Sequence, residues 1–149
     1  MAFDPYVGRK CREYIRDLIR EDFPLDEIGI KRSEVDIRKF PWDLDKPFAG
    51  ITIHPAQEAI GAGTNESDDI GYGVGVTYIR RTGAGNRDVD AIDTFRSYVM
   101  GHFLHKKIPV DTIYQCSVEP GKWQIPAEFR NHYDISALLV RCWSEKDRI

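Results

Sequence analysis

From Asp69 to Arg80 the chain alternates with a period of two: Ile70, Tyr72, Val74, Val76 and Tyr78 fall on one side, and Gly71, Gly73, Gly75 and Thr77 on the other. Alternating β-branched and aromatic residues predict a strand with one buried face, here the central strand of a sheet. The GYGVG run invites a second reading as a phosphate-cradling loop. That loop needs a tight turn opening a helix, however, and bulky residues occupy every second position here. The glycines instead leave a bare face on which another backbone or a helix can approach closely. At strand rise, this segment covers ~40 Å against a usual ~17–20 Å. Part of it is therefore expected to run past its own core toward a partner.

Helical periodicity appears twice. Cys11, Tyr14, Ile15, Leu18 and Ile19 form one stripe of an amphipathic helix over Pro5–Glu21, opened by Asp4 as N-cap before Pro5 and closed by Phe23-Pro24. Arg9, Lys10, Arg12, Arg16 and Arg20 line its other side, interleaved with Glu13, Asp17, Glu21 and Asp22, which reads as a solvated, salt-bridged face rather than a phosphate-binding one. A second helix starts at Asp88 or Asp90, carries Val89, Ile92, Phe95, Val99 and Phe103 as its stripe, and ends at Ile108-Pro109. Ile92, Phe95 and Val99 are expected to face the sheet.

Other strands are predicted at the edge near Glu34–Phe40, at Phe48–His54, at Thr112–Val118 and at Tyr133–Trp143. Pro55–Asp69, rich in Gly, Ala and small polar residues, reads as a long assembly loop between antiparallel strands, and Ser144–Ile149 as a charged tail. Arg80–Arg87 is a turn-rich connection and Glu119–His132 an excursion between the last two strands. The element order gives an α+β fold: a mainly antiparallel sheet, two helices packed on one face, and a long protruding β-hairpin or loop.

Composition narrows the function classes. A chain of 149 residues fits a single domain over 1–149 with a sizeable core. A net charge of −3 supplies no global basic field for non-specific nucleic-acid binding. No apolar run reaches the ~20 residues of a membrane span, so no membrane partner is expected, and MAFDPYVGRK carries no signal-length apolar segment. Cys11, Cys116 and Cys142 are odd in number, widely spaced and without a CxxC, which argues against a disulfide framework or zinc finger and for a reducing cytosol.

Candidate chemistry is sparse. His102 and His105 share a helical face, but HxxH lacks the glutamate of HExxH and has no third ligand nearby. His54 and His132 are isolated. Asp68-Asp69 and Asp88/Asp90 lie among turn residues, where Asp is favoured for backbone reasons. No GxSxG occurs, and no cysteine sits in a nucleophile signature. No catalytic, metal or cofactor residue is therefore assigned. Gly121–Arg130 places Trp123, Ile125 and Phe129 in a loop-like segment, where large apolar side chains either tuck onto the domain's core or dock on another subunit. With Ala56, Gln57, Ile60, Asn65 and Glu66 of the long loop, they form the candidate interface set.

Taken together, CREYIRDLIRE, FAGITIHPAQEAIGAGTNESDDIGYGVGVTYIR, VDAIDTFRSYVMGHFL and YDISALLVRCW occur in an order that resembles the tail-terminator, or tail-completion, proteins of long-tailed bacteriophages. Nearly the whole chain takes part; Glu21–Lys46 has no counterpart. The resemblance implies a virion protein, made in the host bacterial cytoplasm, that forms a ring of identical subunits, typically a hexamer. The ring sits on the tail tube protein, stops tube growth and presents a surface to the head–tail connector, while genomic DNA passes through the lumen without specific binding. Head-completion or stopper proteins of the neck share the pattern and form the nearest alternative. From another class, a small nucleotide-binding enzyme would use GAGTNES and RRTGAGNR as anion nests; a nucleic-acid-binding module is third.

Overall fold

In the computed structural model, which describes residues 5–37, 49–62, 67–81, 89–110, 112–121 and 133–147, the period-two segment becomes the strand around which the sheet is laid. The six strands are β1 (Val35–Ile37), β2 (Ala49–Pro55), β3 (Ala59–Ala62), β4 (Ser67–Arg81), β5 (Ile113–Pro120) and β6 (Tyr133–Asp147); the helices are α1 (Pro5–Asp22) and α2 (Val89–Phe103). Strand order is β1-β2-β4-β6-β5, with β3 pairing β4 beyond the end of β2. All pairs are antiparallel except β1 with β2.

Both helices cover the same face. Ile70, Tyr72, Val74, Val76 and Tyr78 of β4 are buried in one cluster with Cys11, Ile15 and Ile19 of α1 and with Phe95, Val99 and Phe103 of α2. The register brings Ile51 and Ile53 of β2 and Leu138, Val140 and Cys142 of β6 onto this face. Fully burying each such side chain is worth ~1.5–3 kcal/mol, and apolar stripes at helical and strand periods together supply the core. Tyr78 also donates from its hydroxyl to the carbonyl of Ile28 at 3.0 Å, which ties the segment after α1 to the sheet. Gly29 in that segment has φ of +69°, and a Cβ there would stand 2.8 Å from the Arg80 guanidinium. Glycine therefore suits both the turn and the approach.

Several expectations are revised. Pro55–Asp69 is not one long loop: Ala59–Ala62 pairs with Asp68–Gly71 and Ser67–Asp69 belongs to β4. β4 runs on past the end of β2, and the main-chain groups along its edge are satisfied by pairing whatever side chains the partner carries. Ser144–Asp147 is not a tail either, because it pairs with Ser67–Ile70 as the end of β6. Val89 is 58% exposed instead of lying in the α2 stripe, while Phe95 and Val99 are buried and Ile92 packs partly against the core. Val35–Ile37 is the short edge strand expected near Glu34–Phe40, though parallel to its neighbour; residues 38–40, and Asp4 and Asp88, expected at helix starts, lie outside the described residues.

Candidate functional site

On the face away from the helices, the glycines of β4 form a floor. Gly75 lies under the imidazole of His54, and a Cβ at Gly75 would stand 2.1 Å from that ring. Gly73 lies under main chain, with the carbonyl oxygens of Gln57 and Ala56 at 2.3 and 2.8 Å from its would-be Cβ. Gly71 lies under the ring of Trp143 at 3.1 Å. The bare face is thus filled by a backbone in the middle and by side chains on either side.

The main chain above Gly73 is a β-bulge. β2 ends with Pro55 opposite Val74 and β3 resumes with Ala59 opposite Gly71, so three residues, Ala56–Glu58, face two, Tyr72 and Gly73. The Ala56 N–H donates to the Gly73 carbonyl at 3.0 Å before pairing breaks. A bulge bends its strand, increases the local twist and re-aims the chain beyond it. Here it turns β3 toward the far end of β4 and sets Ile60 opposite Ile70.

Arg141 spans this face from β6. It pairs with Glu119 of β5 at 2.5 Å and reaches the Gln57 carbonyl at 3.5 Å, over the glycine it faces in the register, Gly73. Trp143, two residues on, donates from its indole N–H to the Ser117 hydroxyl at 3.1 Å. Arg141 and Trp143 are half-buried, and Gln115 and Glu145 beside them are exposed. Toward β1 the same face is closed: Thr52, His54 and Thr77 are buried, His54 Nε2 lies 3.2 Å from the Thr77 hydroxyl and Nδ1 3.2 Å from the Pro55 carbonyl. Burial pushes the imidazole below its usual value, partly offset by the Pro55 carbonyl. The Thr52 hydroxyl is buried without a hydrogen-bond partner among the described residues.

Of the predicted interface residues, Ala56 and Gln57 form the bulge and Ile60 lies in β3, so those three are gathered on one edge; Asn65, Glu66, Trp123, Ile125 and Phe129 lie outside the described residues. Ala56 also borders a cleft of about 190 Å³ shared with Gly8 and Arg12 of α1 and with Glu58 and Tyr72. His102 and His105 do not converge: the His102 ring stacks on Tyr98 with its Nδ1–H donated to the Tyr98 carbonyl, whereas His105 Nδ1 accepts from the Gln115 amide. Among the described residues no cluster of His, Cys, Asp or Glu is arranged to hold a metal, and no helix is long and apolar enough to cross a membrane. Sequence reasoning missed Arg141 and its partner Glu119 at the bulge, and Trp143 over Gly71. The signal was available, because Arg141 and Trp143 occupy alternate positions of the last strand, out of phase with Val140 and Cys142.

No protein-family model, curated protein or solved structure matches the chain.

Proposed function

We propose that this protein is a structural, non-enzymatic ring subunit of the neck of a long-tailed bacteriophage. The ring, a hexamer by the resemblance, caps the tail tube protein and presents its other side to the head–tail connector, with genomic DNA passing through the lumen. One observation carries the reading: β4 and β6 pair over their whole length, 15 residues each. At strand rise that ribbon spans roughly 45–50 Å, whereas α1, the longer helix with 18 residues, covers roughly 27 Å. A ribbon so much longer than either helix is a lever for contact with neighbours. Beyond the bulge, β3 has no strand partner other than β4 among the described residues. Its edge suits strand addition, in which main-chain hydrogen bonds supply adhesion, and head-to-tail repetition of that contact closes a ring. A net charge of −3 suits a channel that lets DNA slide.

Native mass spectrometry with and without tail tube protein tests the proposal. A closed ring, or a ring formed when tubes are added, is expected; a strict monomer that ignores the tube overturns it. Electron microscopy of a lysate from phage lacking the gene separates terminator from stopper. Filled heads beside unattached tails of abnormal length are expected, and empty heads beside tails of normal length would point to the stopper.

A further inference from the structure

Cys11, Cys116 and Cys142 are far apart in sequence but meet under the helices. All three are fully buried, and they come from α1, β5 and β6. Cys116 and Cys142 are directly opposite in the register, with their sulfurs 3.8 Å apart, and Cys11 belongs to the same buried cluster.

The backbone decides which chemistry this arrangement favours. The Cys116 N–H donates to the Lys106 carbonyl at 2.8 Å, and the Cys116 carbonyl accepts from the His105 N–H at 2.9 Å. Both main-chain groups therefore point away from β6, leaving Cys116 and Cys142 as a non-hydrogen-bonded pair. The alternation is confirmed further along, where Gly121 N–H bonds the Ala137 carbonyl at 3.0 Å. Non-hydrogen-bonded antiparallel pairs bring their Cα atoms to about 4.5 Å, inside the roughly 4.4–6.8 Å window of disulfides. Rotation about the Cα–Cβ bonds is then enough to close the sulfur separation, without sliding either strand. Among the described residues β5 is the last strand of the sheet, and opening of the His105 and Lys106 hydrogen bonds on its outer side is the route by which a reagent reaches the pair.

We propose that Cys116 and Cys142 form a reversible cross-strand disulfide, which locks the edge strand β5 onto β6 when the protein passes from a reducing to an oxidising medium. The oxidant is a low-molecular-weight disulfide. The Cys116 thiolate attacks one of its sulfurs, forming a mixed disulfide and releasing one small thiolate. Cys142, as thiolate, then attacks the Cys116 sulfur, forming the protein disulfide and releasing the second small thiolate. The two protons given up by the protein thiols end on the two released small thiols, and the two electrons lost by the protein reduce the reagent. Cys116 is the first nucleophile because it is the thiol carried by the outer strand β5, and its hydrogen bond with Cys142 holds it below the ordinary thiol value. Hydrogen bonds with Cys11 and Cys116 push Cys142 well up. Cys11, on the helix, keeps its thiol. The lock does not depend on the assembly proposed above.

The test incubates the folded protein with oxidised glutathione and follows intact mass, peptide linkage and amide exchange. The native chain should lose two hydrogen masses, keep one titratable thiol, and yield a peptide joining Cys116 to Cys142. Amide exchange across β5 should slow by roughly tenfold or more, and dithiothreitol should reverse all of this. Cys11→Ser should leave the reaction intact and Cys116→Ser should abolish it; should a variant fail to fold, the wild-type linkage map decides alone. Three free thiols after prolonged incubation, a linkage through Cys11 or between chains, or unchanged exchange in β5 would overturn the proposal.

Discussion

Phe95→Ala is the sharpest perturbation of the packing that holds α2 to the sheet. Phe95 is fully buried, and its ring lies 5.5 Å from that of Tyr78, inclined at 30°. Removing the ring forfeits roughly 2 kcal/mol of transfer free energy and the tilted aromatic pair, worth about 0.5–1.5 kcal/mol. A cavity term follows, because β4 is held on both sides by β2 and β6 and cannot move in to fill the gap. The expected total is about 3–5 kcal/mol. For a chain of this length that lowers Tm by roughly 6–20 °C. Urea denaturation of the two proteins measures it, with an unchanged slope as the check that only stability has moved. Val89→Ala on the same helix is the control; its side chain is 58% exposed, so a change within about 0.5 kcal/mol is expected. A loss below ~1 kcal/mol for Phe95→Ala would refute the packing argument.

Two glycines should respond in opposite ways. Gly101, near the end of α2, has open space where a Cβ would stand, and Gly101→Ala should stabilise by about 0.5–1 kcal/mol. Gly73→Ala would drive a methyl into the bulge carbonyls at 2.3 and 2.8 Å, costing about 1–3 kcal/mol; equal effects in thermal melts would contradict the bulge geometry. His54 should make stability pH-dependent. Its folded pKa is depressed by burial, so the unfolded chain binds the proton first. Stability contributed by the neutral ring is present above about pH 6.5 and is lost as pH falls through the lower folded value. Comparing unfolding free energies of wild type and His54→Gln from pH 5 to 8 should show the slope only in the wild type. Parallel curves would remove His54 as the cause.

Local periodicity made both helices and most strands readable in the sequence. The stripe through Cys11, Ile15 and Ile19 and the alternation through Ile70, Tyr72, Val74, Val76 and Tyr78 are the residues that the structure buries together. Misreadings came where side chains carried no period. Ala59–Ala62 and Ser144–Asp147 have the composition of a loop and of a solvated tail, yet both pair with β4, because ladder hydrogen bonds belong to the backbone and need only an available edge. Ala56 and Gln57 were singled out for their place in the chain, whereas their role at the bulge depends on Gly73, sixteen residues after Gln57.

By itself, the sequence determined which residues must leave water: the period of each apolar stripe dictates a helix or strand with a buried face, and that preference is local. Only the tertiary structure decided who meets whom. It set β6 between β4 and β5, placed one extra residue opposite Tyr72 and Gly73, laid Arg141 across that bulge, and brought Cys11, Cys116 and Cys142 together from three elements. Such contacts depend on strand order and register, which arise when distant segments compete for the same backbone edges and the same apolar surface. A single-residue shift of register would move every side chain of a strand to the other face, and neither the thiol cluster nor the Arg141 span would survive it.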